Sequence, residues 1–234
     1  MAEGAGWGQK ILGRPLLIFS FGAMLVTLYL VFLWVPTERF QGIVQRIFYF
    51  HVPPAWVAFL AFFIVFVGSI LYLWRGEGRW DDLAYSSAEL GVVFTTVTLI
   101  TGSLWGKPIW GVWWTWDPRL TATAILWLIY IAYLMIRAYV AEESRGARFA
   151  AVVGIVGFID VPIVYLSIRW WRTLHPAPVV LTSEEGLPPA MLLTLIVSLV
   201  TFTALFIHLL FQRLSLRQMV AEVERLKEAQ KEET

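Results

Sequence analysis

Apolar residues in this 234-residue chain gather in blocks about twenty long, separated by shorter polar stretches. Twenty apolar residues in a helix match the thickness of a bilayer's hydrocarbon core. The pattern predicts six spans, at about 16–35, 55–74, 83–104, 120–139, 149–169 and 190–211. The runs are continuous rather than alternating, so they read as helices and not as strands of a membrane barrel. The expected fold is therefore all-α, an integral membrane bundle of six transmembrane helices. An even number of spans places both termini on one side.

Lysine and arginine give that side an orientation. Twelve of the 18 basic residues fall on the side of the termini and six on the other. Both termini are thus expected in the cytoplasm. The three long connections, about 36–54, 105–119 and 170–189, then face outward, and the inner ones are short and polar. The first span follows a short polar segment, Met1 to Arg14, with no clear cleavage signal, and reads as an anchor that stays in place.

Composition narrows the function. The chain is 59% hydrophobic and 15% charged, which fits a bundle solvated by lipid. A net charge of +1 without a basic patch gives no reason to expect nucleic acid. Cysteine is absent, which removes disulfides, thiolate chemistry and cysteine metal ligands. No phosphate-binding Gly-rich loop, Ser-His-Asp arrangement on one face or His-Glu-x-x-His motif occurs. An energised transporter would need its ATPase from another chain.

The chemistry-bearing residues lie on the outer face. Five of the 13 tryptophans fall between Trp105 and Trp116. Trp110, Trp113, Trp114 and Asp117 are spaced to share one face of a short interfacial helix, although Gly106, Pro108 and Gly111 would keep it brief. Asp117 precedes Pro118 and reads as the N-cap of the fourth span. His51 follows the first span and His175 the fifth, so both share the face of the tryptophan stretch. His208 lies near the opposite face. Two imidazoles beside an aromatic floor suit haem, whose iron takes two axial ligands. Lys107, Arg119 and Arg172 lie on the same side and could meet its propionates. Zinc, which wants three or four protein ligands, fits poorly.

Two carboxylates fall inside spans, Glu89 in the third and Asp160 in the fifth beside Pro162. An ionisable group at a helix centre costs about 2.5–3.5 kcal/mol on insertion scales. Each reads either as polar packing within the bundle or as part of a proton or substrate path. The tail from Arg213 to Thr234 carries five positive and five negative charges. It places Leu216, Met219, Val220, Val223 and Leu226 on one helical stripe. It is either a solvated helical extension or a docking helix for an inner-side partner.

The stretch Trp105-Gly-Lys-Pro-Ile-Trp-Gly-Val-Trp-Trp-Thr-Trp-Asp-Pro-Arg-Leu-Thr121 resembles the tryptophan-rich WWD signature of haem-handling proteins in cytochrome c maturation. Together with Arg46-Ile-Phe-Tyr-Phe-His-Val-Pro-Pro-Ala-Trp56, Ser167-Ile-Arg-Trp-Trp-Arg-Thr-Leu-His175 and the six spans, it resembles the haem exporter C family, CcmC. The haem lyase CcmF and the CcsA-type synthases share the signature but are longer.

The resemblance implies a bacterial inner-membrane protein that binds b-type haem non-covalently on its outer face. His51 and His175 would be the axial ligands. Trp105, Trp110, Trp113, Trp114, Trp116 and Asp117 of the loop 105–121 would form the platform. The haem would pass to a periplasmic haem chaperone, CcmE, which bonds it covalently. An ABC transporter pair, CcmA and CcmB, and a small membrane protein, CcmD, would be the other partners. In this reading residues 1–211 form one haem-handling domain and 212–234 a charged cytoplasmic helix, and the chain delivers haem without being an enzyme itself. Two positions depart from the family pattern: Pro118 stands where a small residue is familiar, and Pro176 follows His175 where a polar one is. The rival functions are a permease subunit with Glu89 and Asp160 on its path, and a membrane haem anchor for electron transfer.

Overall fold

The computed structural model describes residues 3–175 and 186–232, and the side chains of 13–175 and 186–231. Its helices are α1 (Glu3–Tyr29), α2 (Phe48–Arg75), α3 (Gly78–Trp110), α4 (Pro118–Tyr139), α5 (Glu143–Gly157), α6 (Asp160–Trp170) and α7 (Pro189–Glu232). A π-turn, Leu30–Trp34, extends α1, and a 3-10 turn, Ile43–Ile47, leads into α2. No strand of a sheet forms among the described residues. Six helical segments are long and apolar enough to cross a membrane, with α5 and α6 making up one of them. The protein is a multi-pass membrane bundle.

The helices run past the expected span ends. α1 begins at Glu3 and α2 at Phe48, although Pro53 and Pro54 lie early in α2. Burial of Phe48 and Tyr49 against Val31, Val35, Met191 and Leu195 holds that first turn helical. The fifth span is broken at Phe158–Ile159, just before Asp160 and Pro162. A proline lacks the N–H that would continue the ladder. α7 runs unbroken for 44 residues, so the charged tail is a continuation of the last span.

α2 and α3 form the central hairpin. Around it α4, α5 and α7 close a core in which Phe62 stacks on Tyr130 at 3.7 Å. α1 leans on α7, with the Thr27 and Thr201 hydroxyls 2.9 Å apart, and leaves Ile18, Phe21 and Leu25 exposed to lipid. At the end where α2 meets α3, ion pairs tie the helices together. Arg137 of α4 meets Asp81 at 2.8 Å, and Arg217 of α7 meets Asp82 at 2.6 Å. Arg213 binds both oxygens of Glu89. The opposite end of the bundle holds the tryptophan stretch.

Candidate functional site

His51 sits on the first turn of α2, not in a loop, and its ring lies against α3. Its Nδ1 is 3.0 Å from the Thr101 hydroxyl, which itself donates to the Val97 carbonyl at 2.7 Å. With its proton spent on Val97, the hydroxyl accepts from Nδ1–H. That fixes the tautomer and leaves Nε2 as the unprotonated nitrogen. A Cβ at Gly102 would stand 3.0 Å from the imidazole Cε1, so the ring occupies space that this glycine vacates. Trp105 packs edge-on against the ring at 5.8 Å and donates Nε1–H to Gln41 Oε1 at 2.9 Å.

The tryptophan stretch is not a single loop. α3 continues through Trp105 and Pro108 to Trp110. The Trp110 ring lies across Gly106, where a Cβ would be 3.0 Å away. Gly111 then adopts the left-handed conformation at φ 78° and donates its N–H to the Lys107 carbonyl at 3.0 Å, which ends the helix. The separate interfacial helix expected from the spacing of Trp110, Trp113, Trp114 and Asp117 does not form, because residues 111–117 are non-helical. Trp110 therefore projects from α3 while Trp113 and Trp114 lie on irregular chain.

Asp117 caps α4 as its sequence suggests. Its Oδ1 accepts the Arg119 N–H at 3.0 Å, with Pro118 at the first helical position. The second oxygen does what no local pattern foretells: Oδ2 accepts the Leu174 N–H at 2.8 Å, across 57 positions of sequence. Leu174 immediately precedes His175. The His175 N–H bonds to the Thr173 hydroxyl at 3.1 Å. Pro176 lies outside the described residues.

These elements surround a cavity of about 980 Å³, counted out to its open mouth. His51, His175, Trp105, Trp110, Trp114 and Arg119 all line it, and its floor reaches Ala58, Leu126 and Val164 between the helices. Trp116, 82% exposed, and Trp113 point away; Trp113 lies over an outer groove beside Leu99, Ile100 and Leu104. Of the three expected cations, Arg119 lines the cavity. Lys107 donates to the Gly111 carbonyl at 2.8 Å, and Arg172 is exposed away from it. Glu89, bound by Arg213, and Asp160 do not line it. Asp160 Oδ2 and His208 Nδ1 are buried without a hydrogen bond among the described residues.

Gln41, Thr101 and Gly102 escaped the sequence reading, and Gly106 entered it only as a limit on helix length. Only proximity on the folded helix pair reveals them, although the run Thr-Gly-Ser at 101–103 did offer small residues opposite His51.

The arrangement fits haem better than a bare metal ion. Among the described residues no group of three His, Asp or Glu side chains could hold such an ion. Two imidazoles suffice when a macrocycle already fills the other positions of the metal. Aromatic walls would pack on that macrocycle, and a guanidinium would meet its carboxylates.

A family model described as CcmC, Heme exporter protein C, matches residues 6–231. Heme exporter protein C of Bradyrhizobium diazoefficiens is 39% identical over 176 residues, 74% of this chain and 66% of that protein. Heme exporter protein C of Escherichia coli K12 is 33% identical over 175 residues, 72% of this chain and 70% of its own. A ccmC-like mitochondrial protein of cytochrome c biosynthesis from Marchantia polymorpha is 33% identical, covering 80% of this chain and 79% of that protein.

Proposed function

The chain belongs to the Heme exporter protein C family, and we propose that it holds haem between His51 and His175 for delivery to a periplasmic chaperone. Membership makes it a membrane protein that handles haem in cytochrome c maturation. The finer reading rests above all on one observation: both histidines line the same tryptophan-walled cavity. His51 offers Nε2 from a rigid helix, its tautomer set by Thr101. His175 approaches from the non-helical segment after α6. Trp105, Trp110 and Trp114 form the walls, and Arg119 is the cation for a propionate.

Bound this way, haem is b-type and non-covalent, so its release requires exchange of axial ligands and not the cleavage of a covalent bond. The recipient is the chaperone CcmE, the transporter pair is CcmA and CcmB, and CcmD completes the assembly in the bacterial inner membrane. The cavity end faces the periplasm, in line with the excess of basic residues at the other end. Trp113 and Trp116, exposed beside the cavity mouth, are placed to meet the chaperone or the lipid headgroups. The chain serves as a delivery protein.

The test is the absorption spectrum of the purified protein from haem-replete cells. The wild type should carry six-coordinate haem, and the double variant His51→Ala/His175→Ala should lose it. Unaltered six-coordinate haem in the double variant would refute the ligand assignment.

A further inference from the structure

We propose that Asp117 is the positioning residue for His175: one carboxylate oxygen fixes the start of α4, and the other holds the segment that presents the histidine to the cavity. The inference rests on the ligand reading above and adds to it the device that places the second ligand.

The two histidines are supported in different ways. His51 is built into α2, with Thr101, Gly102 and Trp105 against its ring. His175 lies beyond the last bond of α6, in which the Trp171 N–H reaches the Ser167 carbonyl at 3.0 Å. No helix sets its position. Among the described residues, the Leu174 N–H to Asp117 Oδ2 bond at 2.8 Å crosses from this segment to the wall of the site. Asp117 is itself fixed, at 7% exposed and with Oδ1 on the Arg119 N–H at 3.0 Å.

A buried carboxylate demands donors for both oxygens. Here one donor belongs to the helix that carries Arg119 and the other to the residue before His175. Hydrogen bonds to an ionised acceptor are stronger than neutral ones. Oxygen Oδ1 satisfied by the cap cannot swing to serve Leu174, so each oxygen has one task. A site must hold its groups within about 0.5 Å to work. The Asp117 bridge couples the height of His175 to the start of α4 and hence to Arg119. One carboxylate thereby sets a ligand and a propionate partner relative to each other.

Two substitutions separate the tasks. Ser and Asn both remain good N-caps, so Asp117→Ser and Asp117→Asn keep α4 started. Serine is too short to bridge to Leu174 as well. Asparagine, with its oxygen on the cap, turns an N–H₂ toward the Leu174 N–H. Full-length wild type, the two variants and His175→Ala are purified in detergent, loaded with haem, and followed by absorption spectrum and by haem release to an excess of apomyoglobin.

Both Asp117 variants should convert part of the low-spin six-coordinate haem to high-spin five-coordinate haem. They should release it about tenfold faster, the lower end of the effect of outer partners on metal sites. Added imidazole should restore the low-spin spectrum in both, as in His175→Ala, because His51 still binds the other side. Wild-type spectra and release rates in the two Asp117 variants, with His175→Ala altered, would overturn the positioning role and leave the ligand assignment standing. An unaltered His175→Ala would overturn both.

Discussion

Gly102→Ala offers a perturbation in which fold and site respond with opposite signs. The added methyl would stand 3.0 Å from His51 Cε1 and 3.6 Å from Nδ1. Carbon atoms in contact settle about 3.5–4.0 Å apart, so the ring must retreat by a few tenths of an ångström. It cannot do so freely. Trp105 packs its edge against the ring, and Nδ1 is held at 3.0 Å by Thr101. Retreat therefore stretches the bond that fixes the tautomer and shifts Nε2 within the cavity. Alanine meanwhile stabilises an interior helical position by about 0.5–1 kcal/mol relative to glycine. The variant should insert and unfold like the wild type, or at slightly higher temperature, while haem affinity falls by about 10–100-fold, as when an outer support of a metal ligand is lost. Haem titration into the purified apoprotein and thermal unfolding in the same detergent read the two effects separately. Wild-type affinity with an unchanged spectrum would show that the contact between Gly102 and His51 does not shape the site.

Three other expectations follow from the same contacts. Thr101→Val keeps the shape but removes the acceptor for Nδ1–H, so haem release measured by transfer to apomyoglobin should accelerate about tenfold; an unchanged rate would argue against the tautomer assignment. The tryptophans should divide by position: Trp110→Ala/Trp114→Ala weakens haem retention, whereas Trp113→Ala/Trp116→Ala preserves it and affects only transfer to the chaperone, as judged by the absorption spectrum of the purified protein and by a haem-stained gel of the chaperone. Equal losses in the two pairs would contradict the division. At the far end, Asp81→Asn leaves Arg137, 5% exposed at its side chain, with only the more distant, exposed Glu143 carboxylate at 3.9 Å. Loss of one partner of a buried pair costs about 3–5 kcal/mol, so unfolding in detergent should come several degrees lower. A shift equivalent to under about 1 kcal/mol would mean that solvent reaches the pair.

The spans were legible because the apolar runs match the bilayer and because nothing else in the chain competes with that signal. Their ends were not. Phe48 to Phe50 are helical through burial against α1 and α7, a tertiary effect that outweighs the two prolines that follow. Trp105 to Trp110 are helical for the same kind of reason: the Trp110 ring has a place over Gly106 only if the helix continues. Periodicity alone could not distinguish a new short helix from the last turns of α3, and it therefore put Trp113 on the face of Trp110. Asp117 divides the matter cleanly. Its cap was readable because the partner N–H lies two residues away. Its bond to Leu174 was not, because it joins loops 57 positions apart. Glu89 was visible as a charge needing a partner, but Arg213 is 124 positions distant and could be found only when α7 was laid against α3.

α3 links what happens at the two ends. Asp81, Asp82 and Glu89 lie toward its beginning and hold it to α4 and α7. Thr101, Gly102, Trp105 and Trp110 lie toward its other end and shape the cavity. A helix rises 1.5 Å per residue, so about 18 Å of stiff rod separates Glu89 from Thr101. The ion pairs thus fix the height of the tryptophan wall against the α4 start, where Asp117 in turn holds the His175 segment. Within the proposed function this makes the two axial ligands unequal. His51 moves only if α2 and α3 move. His175 lies on non-helical chain that the Leu174 hydrogen bond ties to Asp117. A chaperone that must take haem without dismantling the bundle would therefore displace His175 first, and Trp170 and Trp171, a few residues before it in the chain, are exposed.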